Sequence, residues 1–211
     1  MINNIEKIVA RHLLEIKAVQ LRPEEPFTWA SGWKSPIYCD NRKILSYPEK
    51  RTEICGYLVE VIKEHFSDVD IIAGVATGAI AYGALVAHAL GLPFIYIRPK
   101  AKDHGTLARI EGDLPKGANV VIIEDLISTG TSSLSAAEAV AKEGGFVEGM
   151  VAIFSYNFHR TRQAFEDANV ELHILSNYDA LLEEAVASGY IKAGDLKVLD
   201  EWRFKPDTWG R

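Results

Sequence analysis

Cysteine is scarce here: Cys39 and Cys55 are the only two in 211 residues. They lie far apart, with no Cys-x-x-Cys spacing and no nearby histidine, so a disulfide framework and a cysteine zinc site are both unexpected. Basic charge is also short, with 23 Lys and Arg against 29 Asp and Glu and a formal net charge of -6. Nonspecific nucleic-acid binding relies on a cationic surface, so that class is disfavoured, although a local basic loop can still capture an anion. No apolar run reaches the ~20 residues that a membrane-spanning helix needs. The first residues place Glu6, Lys7 and Arg11 inside an amphipathic pattern, unlike a secretory leader. Internal repeats, low-complexity tracts and a linker are missing too. The expectation is one domain over residues 1–211 in a soluble, cytoplasmic protein.

What is present is a chain that is 48% hydrophobic, enough for a substantial core. Ile5, Ile8, Val9, His12, Leu13 and Ile16 recur at helical intervals and predict an apolar helix face, with His12 packed or at its edge. From Phe27 to Arg42 the pattern turns irregular, with Ser31-Gly32 and Ser35-Pro36 as turn signals. A second helix is expected from about Ser46, because Ser46 and Glu49 have capping-box spacing and Pro48 suits a first turn. Ile54, Leu58, Val61 and Ile62 would be its buried side.

Apolar runs then alternate with helical segments: strands at 70–75, 93–98, 119–124 and 147–154, and a further one at 170–175. This alternation predicts an α/β fold with a mostly parallel central sheet and helices on both faces. Ligands of such sheets bind beyond the carboxyl ends of the strands. Arg98, the Ala76-Thr77-Gly78 turn and Glu124-Asp125 all fall at such ends.

The most informative stretch is Val120 to Ser133. A branched apolar run meets two adjacent carboxylates, Glu124 and Asp125, then Leu126, Ile127 and the small hydroxyl-rich turn Ser128-Thr129-Gly130-Thr131-Ser132. A helix from about Leu134 follows. Such a helix start offers free N–H groups and a positive dipole end to a phosphate, with two carboxylates nearby for a sugar or a metal. A strand end beside an ordinary helix cap is the bland alternative, which the ordered combination disfavours. A second unusual segment runs from Arg98 to Leu114. Arg98, Lys100 and Lys102, with His104, can gather positive charge around a diphosphate, and Gly105 and Gly112 permit bending. The bland alternative is a solvated loop or hairpin.

The acid-acid, Ser-Thr-Gly-Thr pattern resembles the signature of type I phosphoribosyltransferases, which bind 5-phosphoribosyl 1-diphosphate (PRPP). Arg98-Pro99-Lys100-Ala101-Lys102-Asp103-His104-Gly105 is similar to the mobile catalytic loop of the orotate phosphoribosyltransferase family. Phe27 to Arg42 is similar to that family's N-terminal hood, and Ile71 to Ile80 to a pocket-lining segment. The resemblance implies a small hood over the base pocket, contributed with the first helix by residues 1–45. It also implies transfer of phosphoribosyl from PRPP to orotate, with Mg²⁺, in a homodimer whose loop is shared between subunits.

By the same resemblance Lys102, His104 and Asp125 are catalytic, and Arg98, Lys100, Lys102 and His104 hold the diphosphate. Glu124 and Asp125 contact the ribose hydroxyls, Leu126 and Ile127 count among the PRPP-binding residues, and Ser128, Thr129, Gly130, Thr131 and Ser132 wrap the 5′-phosphate. Ser128 also reaches orotate. No protein residue is implied as a resident metal ligand. Pro99 stands where family members often carry a lysine, and Ala30 where one branch places a lysine near the substrate. Arg160 and Arg162 are both candidates for the arginine that this branch offers to the orotate carboxylate.

Two rivals stay open: a type I phosphoribosyltransferase for a purine or other base, and a PRPP-sensing regulator without catalysis. The acidic balance and the lack of an added helix-turn-helix segment count against the regulator. His65, His88, His159 and His173 are scattered without ligand spacing, and the tryptophans and the 190–211 tail read as packing or a dimer contact.

Overall fold

The computed structural model describes residues 2–29, 32–100 and 109–210. The chain opens with helix α1 (Ile2–Glu15), whose Val9, Ala10, Leu13 and Leu14 are buried. Strands β1 (Val19–Leu21), β2 (Phe27–Thr28), β3 (Lys34–Ser35) and β4 (Ile37–Cys39) make two small antiparallel ribbons, β1 with β4 and β2 with β3. A 3-10 turn at Asn41–Ser46 leads into α2 (Pro48–His65).

The expected capping box does not form. Ser46 is consumed by the 3-10 turn, so Tyr47 becomes the cap, no side chain caps the helix, and Pro48 enters the first turn. Pro fits there because its missing N–H would have lacked an intrahelical partner anyway. Ile54, Leu58 and Ile62 are buried as expected, with Cys55 beside them and Val61 only half-buried.

The remainder alternates: β5 (Ile71–Val75), α3 (Ile80–Leu90), β6 (Phe94–Ile97), β7 (Ile110–Glu111), β8 (Asn119–Ile127), α4 (Thr131–Lys142), β9 (Phe146–Ser155), α5 (His159–Asp167), β10 (Leu172–Asn177), α6 (Tyr178–Ala187) and α7 (Leu196–Phe204). The central sheet has the order β10-β9-β8-β5-β6-β7, parallel throughout except for β7, which pairs antiparallel with β6. Gly91 ends α3 in the left-handed conformation, with φ 69°. Among the described residues no helix is long and apolar enough to cross a membrane.

Alternation along the central strands sorts side chains onto two cores, because successive residues of a strand point to opposite faces. Ile72, Val121, Ile123, Val151 and Ile153 face the core built with α1, α2, α3, α6 and α7. Ile71, Ala73, Val120, Ile122, Met150 and Ala152 face the one closed by α4 and α5. Helices on both faces explain why these strands read as continuous apolar runs.

The tail is packed. Trp202 of α7 is fully buried, with its ring 5.8 Å from Trp29, 5.6 Å from Tyr156 and 5.7 Å from Tyr178. The Trp29 indole in turn donates to the Ile37 carbonyl at 3.1 Å. One aromatic cluster therefore joins the first ribbons, the end of β9 and the last helix.

Candidate functional site

β5 sits between β6 and β8, and the chain leaves it in one direction to β6 and later returns on its other side as β8. Strand order reverses there, and a crevice is expected past the carboxyl ends. A cleft of about 470 Å³ lies at that point, lined by Asp40 to Arg42, Val75 to Gly78, Arg98, Pro99, Arg109, Glu124 to Leu126, Ser132 and Ser135. A larger cavity of about 1070 Å³ opens between Asn157 to Arg162 and Asp200 to Asp207. It lacks the acid pair and the α4 helix start, so the smaller cleft is the better chemical candidate.

β8 runs three residues past Glu124, correcting the expectation that the strand stops at that residue. Glu124 and Asp125 therefore lie within the strand, at the point where its alternation breaks: Leu126 packs with the α1-side core, Ile127 with the α4-side core, and the two acid side chains hydrogen-bond to each other. Glu124 shares the α4 side with Ile122. It is 5% exposed and accepts from the Ser133 hydroxyl at 2.9 Å and from the Asp125 N–H at 3.1 Å. Burial, then the neighbouring Asp125 charge, pushes its carboxyl up to about 8. The Asp125 carboxylate lies against Gly78, where a Cβ would collide with it. Burial raises its pKa too, opposed chiefly by the hydrogen bond with the Glu124 side chain and least by the Arg42 charge.

The Asp125 backbone is strapped from outside the sheet. Asn41, 1% exposed, donates its side-chain amide to the Asp125 carbonyl, and its own carbonyl accepts from the Tyr82 hydroxyl at 2.7 Å. The peptide between Ala76 and Thr77 on the facing turn is cis.

The turn after β8 begins at Ser128, and α4 starts at Thr131, three residues earlier than expected. Gly130 precedes it with φ 83°, and a Cβ there would sit 3.0 Å from the Phe165 ring. Glycine answers both demands. Thr161 donates to the Ser128 carbonyl at 2.7 Å, which holds the turn, and the Thr129 and Thr131 hydroxyls are 3.2 Å apart. The first N–H groups of α4 lack intrahelical acceptors and face the cleft side of the turn with the positive dipole end.

Arg98 contributes from the end of β6, with its guanidinium 3.4 Å from Glu111. Arg109 fixes the returning chain: its Nε donates to the Arg98 carbonyl at 2.9 Å, and its Nη1 to the Ser135 carbonyl and hydroxyl at 2.9 and 2.8 Å.

The structure thus gathers Arg98, Glu124, Asp125, Leu126 and Ser132 around one cleft. Ser128 to Thr131 form the adjoining turn. Ile127 is fully buried in the α4-side core, so only its backbone is available. Lys100 is exposed and outside the cleft lining. Lys102 and His104 lie outside the described residues, as does Ala30.

Arg160 and Arg162 part company. The Arg160 guanidinium stands 5.8 Å from the Trp33 ring and 5.6 Å from Phe158, whereas Arg162 donates to the Asn157 side chain at 3.4 Å.

Sequence reasoning gave no role to Asn41, Arg42, Tyr82, Arg109, Ser133 or Ser135. Asp40-Asn41-Arg42 was a visible polar triplet after an apolar strand, and Arg109 ended the long basic connection. Ser133 gave no signal, because it stood one residue before the expected helix.

Comparison with known proteins agrees with this geometry. A family model described as "Phosphoribosyl transferase domain" matches residues 42–170. The orotate phosphoribosyltransferase of Porphyromonas gingivalis is 56% identical over 204 residues, 97% of each chain. That of Bacteroides fragilis is 54% identical over 206 residues, 98% of this chain and 97% of its own. The crystal structure of orotate phosphoribosyltransferase from Aeropyrum pernix superposes with a TM-score of 0.75 at 29% identity, over 87% of this chain and 99% of that one.

Proposed function

Because this chain belongs to the phosphoribosyl transferase family and, within it, to the orotate phosphoribosyltransferases, we propose that its cleft transfers the phosphoribosyl group of PRPP to N1 of orotate. The products are orotidine 5′-monophosphate and diphosphate, as in pyrimidine nucleotide synthesis. The observation that carries this reading is the acid pair of β8 beside the start of α4, at the carboxyl edge of the sheet.

The bond from C1′ to the diphosphate oxygen breaks as the bond to N1 forms, and N1 gives up its proton. Positive character grows on the ribose ring and negative charge on the leaving group. Positioning and electrostatics are therefore the protein's main tasks. Asp125 and Glu124, whose side chains meet at the end of β8, accept from the two neighbouring ribose hydroxyls. The Ser128 to Ser132 turn and the first N–H groups of α4 hold the 5′-phosphate, whose negative charge suits the dipole. Arg98 and, from outside the described residues, Lys100's neighbours Lys102 and His104 neutralise the diphosphate. Ser128 reaches the base, and Arg160, set against the Trp33 and Phe158 rings, is the better-placed partner for the orotate carboxylate.

Mg²⁺ fits the donor set: a buried and a half-buried carboxylate, both with raised pKa values, form an all-oxygen environment that a hard dication relieves. When bound with PRPP it would offset charge on the diphosphate oxygens. Asp125 and Glu124 are the residues that would face it. We read residues 1–211 as one domain, residues 1–45 giving a helix and hood, acting as a cytoplasmic homodimer in which one subunit's Lys102 loop completes its partner's site.

The test is turnover by purified protein with PRPP and Mg²⁺, comparing orotate, adenine, hypoxanthine and uracil. Orotate should be consumed with release of diphosphate, and Arg160→Ala should raise the KM for orotate more than Arg162→Ala does. A purine or uracil used in preference to orotate would overturn the base assignment. PRPP binding with no base consumed would point to a sensor.

A further inference from the structure

The far rim of the sheet carries a cluster that the cleft does not use. His65 is the last residue of α2, His173 is the second residue of β10, and Glu171 immediately precedes that strand. Because β10 is parallel to β8, this is the amino-end rim, opposite the acid pair. The His65 and His173 rings stack with centroids 3.8 Å apart and planes 27° from parallel. Glu171 Oε1 lies 2.7 Å from His173 Nε2. One donor atom from each of the three residues falls within 4.8 Å of the others. Histidines over a hundred positions apart in sequence are brought together by topology alone, which is why their spacing gave no ligand signal.

The floor beneath them is fixed. Phe66, 6% exposed, meets the His173 ring edge-on at 5.6 Å and 84°. Its own ring rests on Gly149, where a Cβ would lie 2.6 Å from it. The Glu171 carbonyl accepts from the Met150 N–H at 2.8 Å, tying that residue to β9. His65 and Glu171 are exposed above this floor, so their side chains are free to adjust, while His173 is half-buried and held. Ring stacking alone accounts for two imidazoles in contact. It does not account for a carboxylate closing the third side of the same open face.

We propose that His65, Glu171 and His173 form a divalent transition-metal site of the zinc class. Two imidazole nitrogens and a carboxylate oxygen are the donor types that zinc accepts, with solvent free to take a fourth position. Zinc–ligand bonds of about 2.0–2.2 Å set the donors roughly 3.3 Å apart, so Glu171 Oε1 backs away slightly from His173 Nε2 and His65 adjusts, short movements for the two exposed side chains. Mg²⁺, which demands oxygen ligands, would not be held here, so the site is chemically distinct from the cleft. The ion would cross-link the end of α2 to β10, a sheet-edge strand, and take no part in turnover.

The experiment uses tag-free, chelator-stripped full-length protein titrated with ZnCl₂ by calorimetry and with CoCl₂ by visible absorption. One ion should bind per chain. His65→Ala and His173→Gln should each weaken binding about tenfold or more, and Glu171→Gln should weaken it as well. His88→Ala and His159→Ala should leave it unchanged. Zn²⁺ should raise the melting temperature of the parent and not of His65→Ala, a substitution at an exposed helix end that leaves the unliganded fold intact. Mg²⁺-dependent transfer should be unaltered in His65→Ala. Absence of stoichiometric binding to the folded parent, or equal binding by the His65→Ala/His173→Gln double variant, would overturn the assignment.

Discussion

Raising the pH from about 5 to about 8 should destabilise the unliganded protein, with Glu124 setting the size of the effect. Its carboxyl is buried, with a pKa pushed from 4.5 to about 8, while the unfolded chain ionises it near 4.5. Between those values the unfolded state has released a proton that the folded state keeps, so stability falls as pH rises. Below that window both states are protonated and the effect vanishes; above it the full cost has been reached. One pKa unit corresponds to about 1.4 kcal/mol, and because Asp125 ionises as part of the same pair the loss is on the order of 2–4 kcal/mol. At about 2–4 °C per kcal/mol for a chain of this size, the melting temperature should drop by roughly 5–15 °C. Glu124→Gln mimics the neutral acid: it carries no titrating proton, and its one amide oxygen can still accept from Ser133 or from the Asp125 N–H. Thermal melts with chelator present and no PRPP, at constant ionic strength, should show a steep pH slope in the parent and a shallow one in the variant. The lowered pKa values of Glu15, Asp40 and Glu53 act in more acidic solution and cancel in the comparison. Equal slopes in the two proteins would refute the reasoning.

Gly78→Ala places a methyl group in the Asp125 carboxylate, so kcat/KM should fall by about a hundredfold or more, the scale of a lost transition-state contact, as read by steady-state kinetics. Trp202→Ala should cost about 3–5 kcal/mol in a urea melt, because a fully buried indole is removed from the centre of an aromatic cluster. Lys102→Ala and Asp125→Asn should each be nearly inactive alone, with losses of roughly a hundred- to a thousandfold. Mixing them under subunit exchange should recover part of the activity, and no recovery despite proven exchange would argue against a shared loop.

The parallel sheet was legible because strands covered on both faces must be apolar at nearly every position, as Ile71 to Val75 and Val120 to Ile123 are. The turn from Ser128 into a helix was legible because small residues with hydroxyls, followed by a helical pattern, leave few alternatives. Local boundaries were less so. Ser46 and Glu49 had the spacing of a cap, yet the 3-10 turn occupied Ser46 first, a choice set by how Ile44 packs into the core. Asn41, Ser133 and Arg109 were invisible as site residues because their partners, the Asp125 carbonyl, the Glu124 carboxylate and Ser135, are 84, 9 and 26 positions away. Such contacts are decided by which elements become neighbours in space, and one-dimensional spacing does not record that.

Trp202 follows every strand of the sheet in chain order, yet it is the ring against which Trp29 rests. During synthesis the sheet and the β8–α4 turn can therefore assemble while the canopy made by the first ribbons still lacks its keystone. A polypeptide shortened before Leu196 should retain the cleft at the end of β8 and lose the aromatic packing that pins the first ribbons.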